Sequence, residues 1–185
     1  MKVVCDGFLS RNPFAHYRIS PNIKERQFLT EKELQTMINH QFPKKRLNIT
    51  RDMFVFGCFT GISFIDIKNL TTDNLEHING NWWIVAKRKK TGVAFRVKLL
   101  DVPLNIIKRY EPFRIDKHLF TFNGSQQTND TLREIAKECG IEKYLTFHTS
   151  RHTFATLALE KGMSIENGAT ITLSKTISPF HCQSQ

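Results

Sequence analysis

Asn79-Gly80-Asn81-Trp82-Trp83-Ile84-Val85-Ala86-Lys87-Arg88-Lys89-Lys90-Thr91-Gly92-Val93-Ala94-Phe95-Arg96-Val97-Lys98-Leu99 is the stretch where this chain changes period. Asn-Gly is the dipeptide that best tolerates two successive positive φ angles, so Asn79-Gly80 marks a tight hairpin turn. Trp82 to Ala86 reads as a strand of β-branched and aromatic residues. Lys89-Lys90-Thr91-Gly92 is a second turn. Beyond it Phe95, Val97 and Leu99 alternate with Arg96 and Lys98, the period-two signature of a half-buried strand. The two tryptophans are expected in the sheet core rather than as a platform for stacked bases.

Working outward from this hairpin, the flanks are helical. Thr30 and Glu33 form a capping box, with Leu29 and Leu34 in the two positions of a hydrophobic staple. Leu34, Met37 and Ile38 then repeat at helical spacing. A second helix is expected over about Leu47 to Phe59, stopping at Gly61, and a short third over Ser63 to Leu70 with Ile67 and Leu70 facing inward. After the sheet, helices are expected at Pro103–Tyr110, about Asn129–Cys139 and about Thr149–Lys161, the last two closed by Gly140 and Gly162. The fold class is therefore α+β, mainly helical with a small antiparallel sheet. Residues 1–28 read as a basic arm or linker broken by Asn12-Pro13 and Ser20-Pro21. Gly168 to Gln185 carries a single formal charge and neither helical period nor caps, and reads as an aberrant tail.

Composition narrows the partner. The 185 residues carry 27 Lys+Arg against 17 Asp+Glu, a net charge of +10, which favours a polyanion and above all nucleic acid. The longest apolar stretch, Met53–Ile65, is shorter than the roughly 20 residues of a membrane span, and no secretory signal opens the chain. Cys5, Cys58, Cys139 and Cys182 show no metal-ligand spacing, which fits a reducing cytoplasm and predicts no metal site.

Thr146-Phe147-His148-Thr149-Ser150-Arg151-His152-Thr153-Phe154-Ala155-Thr156 is the segment richest in chemistry. His148 and Arg151 are three apart at a helix start and share a face. A guanidinium can grip two phosphate oxygens, an imidazole can exchange a proton near neutral pH, and the helix start offers free N–H groups to an anion. The same pair also fits a capping histidine and a surface arginine. His152 reads as a supporting group. Lys87-Arg88-Lys89-Lys90 fits a solvated basic turn, or a turn that reaches a DNA groove and sets one ammonium beside a phosphate. Asp66 fits a cap or a buried hydrogen-bond partner.

The order Thr60-Gly61-Ile62-Ser63-Phe64-Ile65-Asp66-Ile67, then Lys90 in its turn, then His148–Thr156 resembles the tyrosine recombinase (phage integrase) family, and its conjugative-transposon branch in particular. Asn12-Pro13-Phe14 followed by Phe28–Leu34 resembles the junction between that family's core-binding and catalytic domains. The resemblance spans about residues 8 to 167. It implies site-specific DNA recombination and integration through a phosphotyrosine intermediate, with double-stranded DNA and other recombinase protomers as partners and with no metal, cofactor or membrane. It implies Lys90 as the acid, Arg151 as the second arginine and His148 as the histidine before it, with Lys87, Arg88, Lys89, Lys90 and Arg151 on DNA.

Two departures go with it. The family's first arginine falls where this chain has Ser63. Its Gly-His motif and nucleophilic tyrosine belong beyond residue 167, whereas Tyr17, Tyr110 and Tyr144 all precede Arg151. The expectation is a truncated catalytic domain over 29–167, without its nucleophile and inactive alone, with a non-enzymatic DNA-binding module or regulator as the alternative.

Overall fold

The computed structural model describes residues 27–114, 116–121 and 124–162, and the backbone of residues 170–171. Six helices are described: α1 (Glu31–Asn39), α2 (Lys45–Thr60), α3 (Phe64–Lys68), α4 (Asp101–Tyr110), α5 (Ser125–Glu138) and α6 (Phe147–Glu160). Between α3 and α4 lie β1 (Leu75–Ile78), β2 (Asn81–Lys87) and β3 (Ala94–Lys98). The two residues Thr170–Ile171 form β4.

Helix α2 is the axis of the domain. Every residue from Thr50 to Thr60 is buried, as expected of a helix enclosed on all sides rather than amphipathic. It packs against α1, α4, α5 and α6. Phe54 meets Phe147 edge-on with ring centroids 6.2 Å apart, and Phe56 meets Phe120 at 5.1 Å. The α2–α6 contact is closest where α2 is smallest. A Cβ on Gly57 would lie 2.6 Å from Ser150 Oγ. Gly61 ends α2 in the left-handed region at φ 63°, and a Cβ there would lie 2.6 Å from the Phe154 ring. The sequence thus places α2's end directly against the helix that carries His148 and Arg151.

β1, β2 and β3 form an antiparallel meander with Ile84 opposite both Leu75 and Val97. Asn79 and Gly80 turn the first hairpin at φ 49° and 74°. Ile84, Phe95, Val97 and Leu99 join the single core that includes the helices. The tryptophans do not: Trp82 is 39% exposed and Trp83 half-buried. Trp82 lies at the start of β2, opposite His77 with ring centroids 5.1 Å apart.

Helix α1 has the expected capping box, with Thr30 N–H donating to Glu33 at 2.7 Å, and Leu29 and Leu34 are fully buried. Helix α5 starts four residues ahead of the expected Asn129, because its first turn is polar and its N-cap, Gly124, gives no side-chain signal. The expected arm lies outside the described residues except at its end, where Leu29 N–H donates to Thr153 Oγ at 2.9 Å and ties the chain to α6. Of the tail, only Thr170–Ile171 is described, and it pairs parallel with Arg96 and Val97 at the edge of β3.

Candidate DNA-phosphate site

The site is built where α2 ends. Thr60 closes α2 by donating its hydroxyl to Phe56 O at 2.7 Å, and Gly61 reverses the chain. Ser63 then caps α3, its hydroxyl accepting from Asp66 N–H. That hydroxyl also donates to Asp66 Oδ2 at 2.7 Å. Asp66 is buried, at 6% exposure, and serves as the anchor of the region.

Its second oxygen reaches the basic hairpin. Lys89 N–H donates to Asp66 Oδ1 at 2.8 Å, and Arg88 Nη1 lies 3.5 Å from Oδ2. The β2–β3 turn is closed by Arg88 N–H to Val93 O and Gly92 N–H to Arg88 O, both 2.8 Å. Lys87, Lys89 and Lys90 are exposed, while Arg88 is half-buried with its guanidinium over the Phe95 ring at 5.1 Å. One buried carboxylate therefore holds a turn that would otherwise be solvated, and the next residue after the tether is Lys90.

Helix α6 supplies the opposite wall. Its capping residues are Thr146 and Thr149, so it begins two residues earlier than the expected Thr149. Phe147 N–H donates to Asn129 Oδ1 at 2.8 Å, and Thr149 N–H to Thr146 O at 2.9 Å. These two N–H groups of the helix start are taken by Asn129 and Thr146. His148 is exposed and Arg151 half-buried. His148 and His152 meet edge-on with ring centroids 4.6 Å apart, one turn apart on the same face.

The Arg151 guanidinium is held below the ordinary arginine range. Burial is the main cause, the neighbouring Arg88 cation adds to it, and Asp66 opposes both. Arg151, Arg88 and Asp66 thus form one electrostatic group drawn from α6, β2 and α3. Two cations share one carboxylate, and that carboxylate already accepts from Ser63 and Lys89.

The two described tyrosines differ in their surroundings. Tyr110 donates its hydroxyl to Asp52 Oδ2 at 2.8 Å, and burial, then the Asp52 charge, pushes its phenol above the usual range. Tyr144 is 59% exposed, with Arg133 over its ring at 5.2 Å. Among the described residues no group of three or more His, Cys, Asp or Glu gathers as metal ligands, and no helix is long and apolar enough to cross a membrane.

The fold is that of the tyrosine recombinase catalytic domain. The chain aligns with the XerA recombinase at a TM-score of 0.62 and 21% identity, covering 85% of this chain and 60% of that one. It aligns with the Tn1549 transposon integrase in complex with circular intermediate DNA at 0.66 and 16%, covering 89% and 64%. With a lambda integrase dimer bound to a COC′ core site the values are 0.66 and 14%, covering 96% and 71%. A tyrosine recombinase of Thermosipho africanus (strain TCF52B) is 25% identical over 171 residues, 86% of this chain and 58% of the relative. The phage integrase family profile matches residues 27–169, and the chain belongs to that family. It spans less than two thirds of the length of XerA and of the Thermosipho recombinase.

Proposed function

We propose that this chain binds double-stranded DNA and holds one backbone phosphate between the β2–β3 turn and the start of α6. The observation that carries the reading is the tether from Lys89 N–H to Asp66, since it fixes a basic turn beside the helix that bears His148 and Arg151. Arg151 grips phosphate oxygens through its planar fork and takes up the charge that develops on them. Lys90 delivers a proton to the 5′ oxygen as it leaves, and His148 assists proton transfer at the phosphate. In the strand transfer that this assignment serves, a phenol attacks phosphorus, a 3′-phosphotyrosyl bond forms and the 5′-hydroxyl is released, with no cofactor. Lys87, Arg88 and Lys89 add backbone contacts.

Neither Tyr110 nor Tyr144 is the nucleophile in this reading. Tyr110 is bonded to a buried carboxylate and Tyr144 lies against Arg133, so residues 27–162 bind and polarise the phosphate without cutting it. The position of these two phenols also favours the second reading, a DNA-binding module that occupies sites without chemistry. A nicked suicide substrate tests both. A gel-stable covalent adduct that disappears in Tyr144→Phe would overturn the assignment, whereas retention without an adduct supports it.

Binding itself has a sharper test. Arg151→Ala is expected to weaken duplex binding roughly tenfold or more, in line with about 1.5–3 kcal/mol for hydrogen bonds to charged groups. Lys90→Ala should cost only a few-fold, as a flexible point charge. Affinity measured on one duplex at several salt concentrations should fall steeply with salt. Equal losses in the two variants, or a flat salt response, would contradict the reading.

A further inference from the structure

Residues 27–31 reach α6 from across the domain. Leu29 belongs to no helix or strand, is fully buried and immediately precedes the Thr30 cap of α1. Its N–H is cut off from water and must find a partner inside the protein. That partner is the hydroxyl of Thr153, 124 residues away and also fully buried, at 2.9 Å. The hydroxyl passes its own proton back along α6, donating to Thr149 O at 3.0 Å. Thr149 in turn closes the capping box with Thr146. The chain of groups from Leu29 through Thr153 and Thr149 to Thr146 therefore runs along the first two turns of α6, the turns that carry His148 and Arg151. The neighbours of Leu29 hold the same helix at both ends. Ahead of α6, Gln27 Oε1 accepts from Tyr144 N–H at 2.8 Å, and Lys143 Nζ lies over the Phe28 ring at 5.6 Å. Beyond it, Lys161 reaches Glu31 at 3.4 Å.

We propose that Thr153 is a positioning residue of the phosphate site, through which the segment entering the domain at residues 27–29 sets where α6 stands along its axis and so where Arg151 stands against Asp66 and Arg88. The inference rests on the phosphate-binding reading above. Two features support it. The contacts of α6 with α2, Ser150 on Gly57 and Phe154 on Gly61, are contacts of shape and set how closely the helices approach. A hydrogen bond is directional and tolerates little stretch, so the Leu29 bond supplies the axial stop that shape alone leaves open. Second, Arg151 feels both the Arg88 cation and the Asp66 carboxylate, and such pulls vary steeply with separation where water is excluded. Removing the Thr153 hydroxyl leaves Leu29 N–H unpaired, and either the entry segment or α6 must move to satisfy it. Coupling of this kind is reciprocal: what the entry segment does to phosphate binding, bound phosphate does to the entry segment.

The test uses the whole chain on one duplex at fixed salt, well below the melting temperature of every variant. Thr153→Val removes the hydroxyl at nearly constant shape, Thr153→Ser keeps it, and Arg151→Gln removes the guanidinium. Thermal melts verify folding, and if Thr153→Val does not fold, Thr153→Ala takes its place. Thr153→Val is expected to weaken binding roughly three- to tenfold, and Thr153→Ser no more than about twofold. Combined with Arg151→Gln, the Thr153→Val change should cost almost nothing further, because the guanidinium it misplaces is gone. Combined with Lys87→Gln, which removes an exposed cation of the turn, it should cost its full factor. A loss of the same size in all these backgrounds would make Thr153 a residue of general stability and overturn the proposal. So would equal losses in Thr153→Val and Thr153→Ser. Amide exchange on the unaltered chain gives a second readout. Duplex DNA should slow exchange at Leu29, and Arg151→Gln should remove that slowing. A Leu29 amide indifferent to DNA would overturn the proposal whatever the variants show. If Arg151→Gln binds like the unaltered chain, the phosphate reading itself fails. If Arg151→Gln loses affinity and Thr153→Val does not, the site stands and the role of Thr153 falls.

Discussion

Two buried aspartates, both on or beside α2, are surrounded by arginines, and they differ in what is left over. Asp52, in the middle of α2, accepts from Arg51 at 2.5 Å on one oxygen, and from Arg109 at 2.9 Å and the Tyr110 hydroxyl at 2.8 Å on the other. Arg51 in turn donates to the carbonyls of Met37, Ile38 and His40 and closes the C-terminus of α1. Its cation is used up in joining helices α1 and α2. Asp66, beyond the end of α2, is also buried, but its strong partners are a hydroxyl and a backbone N–H, with Arg88 held loosely and Arg151 only nearby. The first cluster is closed and structural. The second holds its arginine only loosely, as the proposed phosphate site requires and a cross-brace does not.

The strongest way to break this comparison is to remove the closed cluster's anion. Asp52→Ala strands the 7% exposed Arg51 without its counter-charge. Losing one partner of a buried pair costs about 3–5 kcal/mol, so urea melts should show a loss of that order. DNA affinity measured well below the melting temperature should be unchanged, because nothing in this cluster faces the site. A drop in affinity with stability intact would erase the distinction.

Asp66→Ala should cost less stability, about 1–3 kcal/mol, chiefly because Lys89 N–H and the Ser63 hydroxyl lose their acceptor. Its signature is functional. With the turn untethered, the few-fold loss from Lys90→Ala should become smaller still. Equal behaviour of Lys90→Ala in both backgrounds would show that the tether does not position Lys90.

Much of this was legible from residue pattern because the signals are local. Thr30 with Glu33, Asn79-Gly80 and Gly61 each encode their own backbone geometry within four residues. Lys90, His148 and Arg151 were singled out because their order along the chain resembles a family. The contact of Arg88 with Asp66 was not legible, since it spans 22 residues and a cation in a basic turn looks like its neighbours. The tryptophans were misplaced for a related reason. Strand alternation sets which face a residue takes, but tertiary packing decides whether that face is wet. Occupation of the α6 N–H groups was hidden too, because Asn129 lies on α5 and reaches Phe147 only through tertiary packing.

A third carboxylate ranks the comparison at its weak end. Glu33 accepts from Lys143 at 2.6 Å and from the Thr30 N–H and hydroxyl, on a partly exposed surface. Burial pushes its carboxyl up, but the hydrogen bonds from Lys143 and Thr30 outweigh that and hold it below the ordinary carboxylate value. A group with a depressed folded value adds stability that is fully present above its unfolded value, about 4.3, and is lost as pH falls through the folded value. Glutamine at this position keeps the capping box and removes only the charge. Glu33→Gln should therefore be less stable than the unaltered chain at pH 7, by about 1 kcal/mol for a partly exposed pair. The gap should close as pH drops below about 4. Glu134 and Asp116 are also held low by hydrogen bonds from cationic neighbours, and they contribute equally to both chains, so the difference between the two melting curves isolates Glu33. A gap that stayed constant from pH 7 to 3 would assign the loss to packing rather than charge and remove Glu33 from the ranking.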